Sequence, residues 1–131
     1  MKLLDTSVWI PFLRRKGDPG AKRYVANVIA ADEAAYTCPV SFELVGGALD
    51  QELPGVMEAL TFADRLPLEE ADWDAAGEAS RELRKAGVNV PHDDLLIATV
   101  ASNRQIPLVC RDKHFAMIRS AVYRDLMVEE I

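Results

Sequence analysis

Four carboxylates lie where an apolar run ends or where a helical pattern begins: Asp5, Glu43, Asp94 and Asp112. Asp5 follows a short apolar run that turns polar at Thr6 and resumes at Val8. This pattern predicts a buried strand, a carboxylate at its C-terminal end and a helix that begins at once. In open α/β sheets, sites form outside the carboxyl ends of the strands, so Asp5 lies where chemistry is usually placed. The alternative is a structural role as a helix cap, which aspartate fills well.

Glu43 follows the second predicted strand, Ala34–Cys38, which Pro39 would stop. The residues after it predict a helix over 41–49, with Ser41 as its N-cap and Glu43 in its first turn. A glutamate is common in a first turn because of the helix dipole alone. Glu43 by itself therefore leaves structural and functional roles open.

Two adjacent acids, Asp93 and Asp94, precede an almost wholly apolar stretch over 95–103. A helix that is apolar nearly all round is buried, so this stretch predicts a buried helix with two carboxylates at its start. One of them can serve as the N-cap, but the presence of the second acid at the start of a buried helix then needs another explanation. Asp112 comes directly after a further predicted strand over 106–110.

Parallel strands would bring Asp5, Glu43, Asp94 and Asp112 to one edge of the sheet. Carboxylates that converge repel one another, and burying them unpaired is costly. A cation would remove this conflict, and oxygen ligands suit Mg²⁺ or Mn²⁺ rather than Zn²⁺. Such ions activate water and stabilise the charge that develops on a phosphoryl group. We therefore expect all four residues to be metal ligands and catalytic residues.

The elements that must position these acids alternate between strand and helix along the whole chain. This alternation predicts a three-layer α/β/α fold with a central, mostly parallel sheet, formed as one domain over residues 1–131. The remaining predicted elements are helices over 21–31, 55–63 and 69–86, an edge strand over 65–68 and a final edge strand over 123–128. Gly87 would end the longest helix, on which Trp73 is interpreted as a packing residue. The pair Gly46–Gly47 suggests close approach of another backbone.

Composition narrows the class of protein. The chain has 131 residues, of which 50% are hydrophobic, and a net charge of −6. That charge is mild evidence against a module that grips nucleic acid over its whole surface, since such a module would be basic. No apolar run is long enough for a membrane span, and Asp5 follows Met1 too closely for a secretory signal. Cys38 and Cys110 are far apart, so we expect reduced thiols and a cytoplasmic location.

Four pieces of the sequence carry a resemblance to a known family: Leu4–Val8, Glu43 after Pro39 and Ser41, Asp94–Ala98 and Arg111–Phe115. In this order and spacing the chain resembles the PIN-domain ribonucleases, most closely the VapC toxins of toxin–antitoxin pairs. The resemblance implies a metal-dependent endoribonuclease that is usually dimeric and is neutralised by a small antitoxin. It also implies that the acid directly preceding the Leu-Leu-Ile-Ala run, Asp94, is the ligand, which leaves Asp93 for capping or support.

The leading hypothesis is hydrolysis of RNA, with Arg14 and Arg15 guiding its backbone. The rivals are a PIN-like binding protein that has lost catalysis and, less favoured, a phosphatase-like enzyme. Cys110 departs from the family, which usually has Thr or Ser there, and a thiol is a poorer hydrogen-bond partner. His92 and His114 are far apart in sequence, so we expect each to make local hydrogen bonds rather than to bind metal.

Overall fold

The computed structural model describes residues 1–131, in which five strands alternate with seven helices. The strands are β1 (Lys2–Leu4), β2 (Ala34–Thr37), β3 (Asp64–Leu66), β4 (Leu108–Cys110) and β5 (Val128–Glu130). The helices are α1 (Thr6–Leu13), α2 (Pro19–Ala30), α3 (Cys38–Gly47), α4 (Leu53–Leu60), α5 (Glu70–Lys85), α6 (His92–Arg104) and α7 (His114–Ala121). None of these helices combines the length and the apolar composition that a bilayer crossing requires.

All five strands form one parallel sheet in the order β3-β2-β1-β4-β5. The first two crossovers run from β1 toward β3 and the last two run toward β5. Because such crossovers are right-handed, α1 to α4 cover one face and α5 to α7 cover the other. Contacts within each group of helices agree with this arrangement. The prediction of a three-layer α/β/α fold is therefore confirmed.

Burial on both faces of the sheet explains why the central strands are apolar throughout. Leu3 and Leu4 of β1 and Leu108 and Val109 of β4 are all fully buried. Residues of a parallel sheet covered by helices on both faces read as continuous apolar runs rather than as alternating ones. Successive strands are added toward β3 on one side of β1 and toward β5 on the other, so the junction between β1 and β4 is the topological switch point of the sheet. Ligands of open α/β sheets bind at such a point, outside the carboxyl ends of the strands.

One buried ion pair fixes α6, the helix that carries Asp94, against α5. Asp72 is 2% exposed, and its carboxylate accepts hydrogen bonds from Arg104 Nη1 at 3.1 Å and from Asn103 at 2.8 Å. Asp72 also accepts from the backbone N–H of Glu69 at 2.8 Å, which caps the start of α5. Gly87, with φ of 70°, ends the same helix as predicted, since glycine adopts positive φ at no steric cost.

The start of α3 differs from the sequence-based prediction. The helix begins at Cys38 with Thr37 as its N-cap, and the hydroxyl of Ser41 donates to the carbonyl of Cys38 inside the first turn. Pro39 does end β2, but it also occupies the first turn of the helix, where a missing N–H costs nothing. The prediction that Ser41 is the N-cap was wrong, and Glu43 lies in the second turn rather than the first.

Two further interpretations need correction. Trp73 is 55% exposed and is not a core residue. A Cβ added at Gly46 or Gly47 would meet nothing within 4 Å, so the pair is open within this chain and its close approach to a helix of a second subunit stays a prediction. The final edge strand exists, but it is Val128–Glu130, so only the last residue of the predicted range 123–128 belongs to it.

Candidate metal centre

Asp5 lies at the switch point, between the end of β1 and the start of α1. The residue is 3% exposed and caps α1 by accepting the Ser7 N–H at 3.0 Å. The Ser7 hydroxyl donates to the same carboxylate oxygen. That hydroxyl in turn accepts the backbone N–H of Arg111 at 2.9 Å, just beyond β4. Ser7 therefore joins the ends of the two central strands and fixes the Asp5 carboxylate between them.

Glu43 reaches toward Asp5 from α3, although its helix begins earlier than predicted. The hydroxyl of Thr6 donates to Glu43 Oε1 at 3.0 Å. Thr6 is itself buried, so it holds this carboxylate at a fixed place beside the start of α1. Thr6, the residue that follows Asp5, thus orients the carboxylate of Glu43.

Asp94 and Asp112 meet through His114, the first residue of α7. His114 Nδ1 lies 3.0 Å from Asp94 Oδ2 and 2.9 Å from Asp112 Oδ1. The backbone N–H of His114 donates to the same Asp112 oxygen at 2.9 Å. One ligand atom from each of the three side chains lies within 4.8 Å of the other two. His114 hydrogen-bonds to the nearby Asp112 as expected, but its ring nitrogen also contacts Asp94, twenty residues away, and both partners are predicted ligands.

The electrostatics show that the carboxylates act on one another. Burial raises the pKa of Asp94 to about 6, and the charges of Asp5 and Asp112 add to the rise against the opposing effect of His114. Burial also raises the pKa of Asp5 above its ordinary value, with a contribution from Asp112 and opposition from the Ser7 hydrogen bonds. These acids therefore lie close enough to resist full ionisation in the absence of a cation.

Glu43 responds to a different pair of neighbours. Burial raises the pKa of its carboxyl, the hydrogen bond from Thr6 opposes the rise, and the charges of Asp93 and Asp5 add to it. Asp5 is therefore the acid that connects the two sides of the centre: Glu43 on one side, Asp94 and Asp112 on the other.

The residues present fit a divalent cation. No lysine or arginine forms an ion pair with Asp5, Glu43, Asp94 or Asp112, so nothing positive apart from a protonated His114 balances them. Burial and the charges of neighbouring acids raise the pKa of three of these four carboxyls, and a bound cation would offset both effects. A donor set dominated by carboxylate oxygens suits Mg²⁺ or Mn²⁺.

Comparison with known proteins decides the family. The sequence model of the PIN-domain family matches residues 2–120 of this chain. The chain belongs to the PIN-domain family. No curated protein is similar enough in sequence to be matched.

Solved structures agree on the fold of this PIN domain. It is similar to VapBC2 from Rickettsia felis bound to a promoter DNA fragment, with a TM-score of 0.80 and 18% identity over 99% of this chain and 98% of that one. It is also similar to FitAcB from Neisseria gonorrhoeae, with a TM-score of 0.78 and 19% identity over 98% and 96% of the two chains. VapBC-5 from Mycobacterium tuberculosis gives a TM-score of 0.70 and 22% identity over 99% and 98%.

Asp93 does not have the capping role that the sequence suggested for it. The PIN domain's α6 begins at His92, Pro91 is its N-cap, and no side chain makes the capping bond. Asp93 is exposed and makes no hydrogen bond, whereas Asp94 is only 14% exposed and points to His114. Because the helix begins three residues earlier than predicted, both acids fall in its first turn and point to different neighbours.

Cys110 occupies a buried position directly beneath the centre of this PIN domain. Burial raises the pKa of its thiol to about 11, so the group is neutral at physiological pH. The thiol lies 3.5 Å from the carbonyl oxygen of Asp112 and donates to it. Its contact is therefore with the backbone that presents Asp112 and not with the carboxylate.

The basic side chains that follow α1, among them Arg14 and Arg15, were expected to guide RNA, and the structure separates those that it describes in contacts. Arg14 lines the same groove as Glu43. Lys22 donates to the Phe12 carbonyl at 3.0 Å, on the flank of α1. Arg111, which follows β4, has its guanidinium 3.8 Å from Asp18. Arg14 is the one cationic residue in the lining of the groove that contains Glu43.

Proposed function

We propose that this PIN domain is a metal-dependent endoribonuclease and the toxin of a toxin–antitoxin pair. The observation that carries the proposal is the cluster of Asp94, Asp112 and His114, whose ligand atoms lie within 4.8 Å of one another. Asp5 at the switch point is close enough to affect the pKa of Asp94 and to be affected by Asp112, and no lysine or arginine forms an ion pair with these acids. Membership of the PIN-domain family supports nuclease chemistry at such a centre. RNA as the substrate rests on the resemblance to VapC toxins.

In the proposed mechanism the four acids would hold one or two Mg²⁺ or Mn²⁺ ions. Such an ion, when bound, lowers the pKa of its bound water and stabilises the charge that develops on the phosphate in the transition state. Ser7 and Thr6 hold Asp5 and Glu43 in fixed orientations by their hydroxyl donors. Glu43 Oε2 makes no hydrogen bond in the structure, so this atom is free to take a proton from the attacking water. Arg14, in the same groove, orients the RNA backbone through its phosphates.

Cleavage of a mixed RNA pool by the purified chain tests the assignment. We expect cleavage with Mg²⁺ or Mn²⁺, none with EDTA, and less cleavage of single-stranded DNA of the same sequences. Asp5→Asn should abolish cleavage while preserving the fold, because asparagine still caps α1 but removes one charge from the centre. Asp74→Asn, on the exposed side of α5, is the matched control and should cleave like the wild type. Full activity of a metal-replete Asp5→Asn protein would overturn the nuclease assignment as proposed.

The antitoxin is proposed to bind a groove between α1, α3 and α4. This groove has a volume of about 380 Å³ and is lined by apolar residues and by Gly47 and Gly55. Glu43 lies in the same lining, so a bound segment can extend a basic side chain to the acids. A second groove over α2 continues from it through Leu13 and Gly55. The similar Mycobacterium tuberculosis protein is described as a member of a family of toxin–antitoxin systems, which supports this choice of partner.

A second copy of the chain is proposed to bind a different surface, which we call the α3–α4 patch. It consists of side chains that are 40 to 78% exposed although they are apolar: Phe42, Val45 and Met57. Contiguous exposed apolar side chains of this kind mark interaction sites. The patch lies on the outer side of α3, opposite to the side that carries Glu43 toward Thr6.

Light scattering of a small variant series tests both surfaces. Phe42→Asp should convert a dimer to a monomer, because it places a charge in the centre of the α3–α4 patch. Gly55→Trp should remove binding of the protein encoded by the neighbouring gene, because a Cβ at Gly55 meets nothing within 4 Å and the indole would fill the groove. Gly77→Trp, on an equally open position of α5, is the control and should bind normally.

Unchanged binding in Gly55→Trp would place the antitoxin elsewhere. A wild-type chain that is monomeric would contradict the dimer, and a neighbouring product that changes neither mass nor activity would point to a stand-alone nuclease. A cytoplasmic location stays a prediction.

A further inference from the structure

The further inference concerns His114 and rests on the proposed function, because it concerns the same metal centre. His114 is not one of the four acids that the sequence singled out. Its ring nevertheless lies between two of them, with Nδ1 3.0 Å from Asp94 Oδ2 and 2.9 Å from Asp112 Oδ1. The side chain is 31% exposed, so it lines the open side of the centre rather than the core.

These distances match those between neighbouring ligands of one ion. In an octahedral site with ligands about 2.1 Å from the metal, adjacent ligand atoms lie about 3.0 Å apart. Nδ1 of His114 already has this separation from an oxygen of each of the two acids. An ion bound by Asp94 and Asp112 would therefore be within reach of the ring nitrogen without rearrangement of the backbone.

The local backbone keeps the ring in this place. The His114 N–H donates to Asp112 Oδ1 at 2.9 Å, so the start of α7 is tied to the carboxylate that the ring faces. Phe115, the next residue, is fully buried and anchors the first turn of the same helix in the core. The position of the ring is thus set by packing and by a backbone hydrogen bond, as expected of a ligand held on a rigid element.

We propose that His114 supplies a nitrogen ligand to the metal through Nδ1, beside Asp94 and Asp112. The centre then has a mixed nitrogen and oxygen donor set. Imidazole nitrogen suits transition metals, whereas Mg²⁺ prefers carboxylates, carbonyls and water. Of these two ions only Mn²⁺ is a transition metal, so the nitrogen ligand makes the site favour Mn²⁺ over Mg²⁺. Four carboxylates alone would discriminate less strongly between them.

Pulsed electron paramagnetic resonance of the Mn²⁺-loaded chain tests this inference directly. The expected result is ¹⁴N modulation from one coordinated imidazole in the wild type, absent in His114→Gln. His92→Gln is the matched control, since His92 begins α6 as His114 begins α7 but is exposed and makes no hydrogen bond. It should retain the ¹⁴N signal. Circular dichroism of the variants checks that both fold.

Metal titrations provide the second measurement. His114→Gln should bind Mn²⁺ at least about tenfold more weakly, a loss within the range typical of residues around metal sites, with a smaller change for Mg²⁺. Wild-type chain that binds Mn²⁺ without ¹⁴N modulation overturns the role of His114 and leaves the nuclease proposal intact. A chain that binds neither Mn²⁺ nor Mg²⁺ overturns both.

Discussion

Asp94→Asn is expected to eliminate metal-dependent RNA cleavage, whereas Asp93→Asn should retain a measurable fraction of it. Asp94 is mostly buried and contacts His114, and the charges of Asp5 and Asp112 help to raise its pKa. A cation at this centre contributes several kcal/mol of transition-state stabilisation, so removal of one of its ligands should lower kcat/KM by at least about a hundredfold.

Asp93 provides the matched control for this experiment, because it is the same residue type one position earlier on α6. It is exposed, makes no hydrogen bond and affects the centre only through its charge near Glu43. Cleavage rates at saturating Mn²⁺, measured together with Mn²⁺ titrations, separate loss of metal from loss of chemistry. If Asp93→Asn lost activity and Asp94→Asn retained it, Asp93 and not Asp94 would be the ligand that α6 supplies.

The second expected result is that Asp94→Asn stabilises the chain when no metal is present. The folded chain keeps the proton of Asp94 up to a pKa of about 6, whereas the ordinary value is 3.8. Ionisation of Asp94 is therefore less favourable in the folded state than in the unfolded state. Its contribution to stability is fully present below the ordinary pKa and is lost as the pH rises through about 6.

A difference of about two pKa units corresponds to a loss of on the order of 3 kcal/mol in the free energy of unfolding above that pH. Asp94→Asn in EDTA at pH 8 should then melt roughly 5 to 10 °C higher than the wild type. The advantage should shrink as the pH falls toward 4, where the wild-type carboxyl is protonated. Thermal melts across this range measure it, with Asp93→Asn as the control.

A lower melting temperature for Asp94→Asn at pH 8 would contradict the expectation, because it would mean that the carboxylate is stabilised by its surroundings. Addition of Mn²⁺ should reverse the order of the two proteins. The ion binds the folded wild type and raises its melting temperature, whereas the variant has lost a ligand.

The sequence predicted those parts of the site that depend on strand order. Asp5 and Asp112 each follow an apolar run, and parallel strands necessarily end at one edge, so their approach could be inferred without a structure. Local signals also located the end of α5 at Gly87. The three-layer arrangement followed from the alternation of elements, because the handedness of crossovers leaves few alternatives.

The parts that failed depend on choices between local signals. Pro39 was interpreted only as the end of a strand, although proline is equally suited to the first turn of a helix, and this displaced Glu43 by one turn. His114 was set aside because its spacing from His92 has no helical period. Its place two residues after Asp112, at the start of the next helix, was the signal that could have identified it. Trp73 was assigned to the core by residue type, which does not determine exposure.

Two of the four acids lie on helices that cover opposite faces of the sheet. Glu43 belongs to the helices on one face of the sheet and Asp94 to those on the other, and at this edge the two layers touch through contacts between α3 and α6. A cation shared by these acids would link the two helical layers to each other at this edge of the sheet. Its departure would then loosen α6 from α3 while the sheet stays paired, so metal supply would govern local opening before it governs global unfolding.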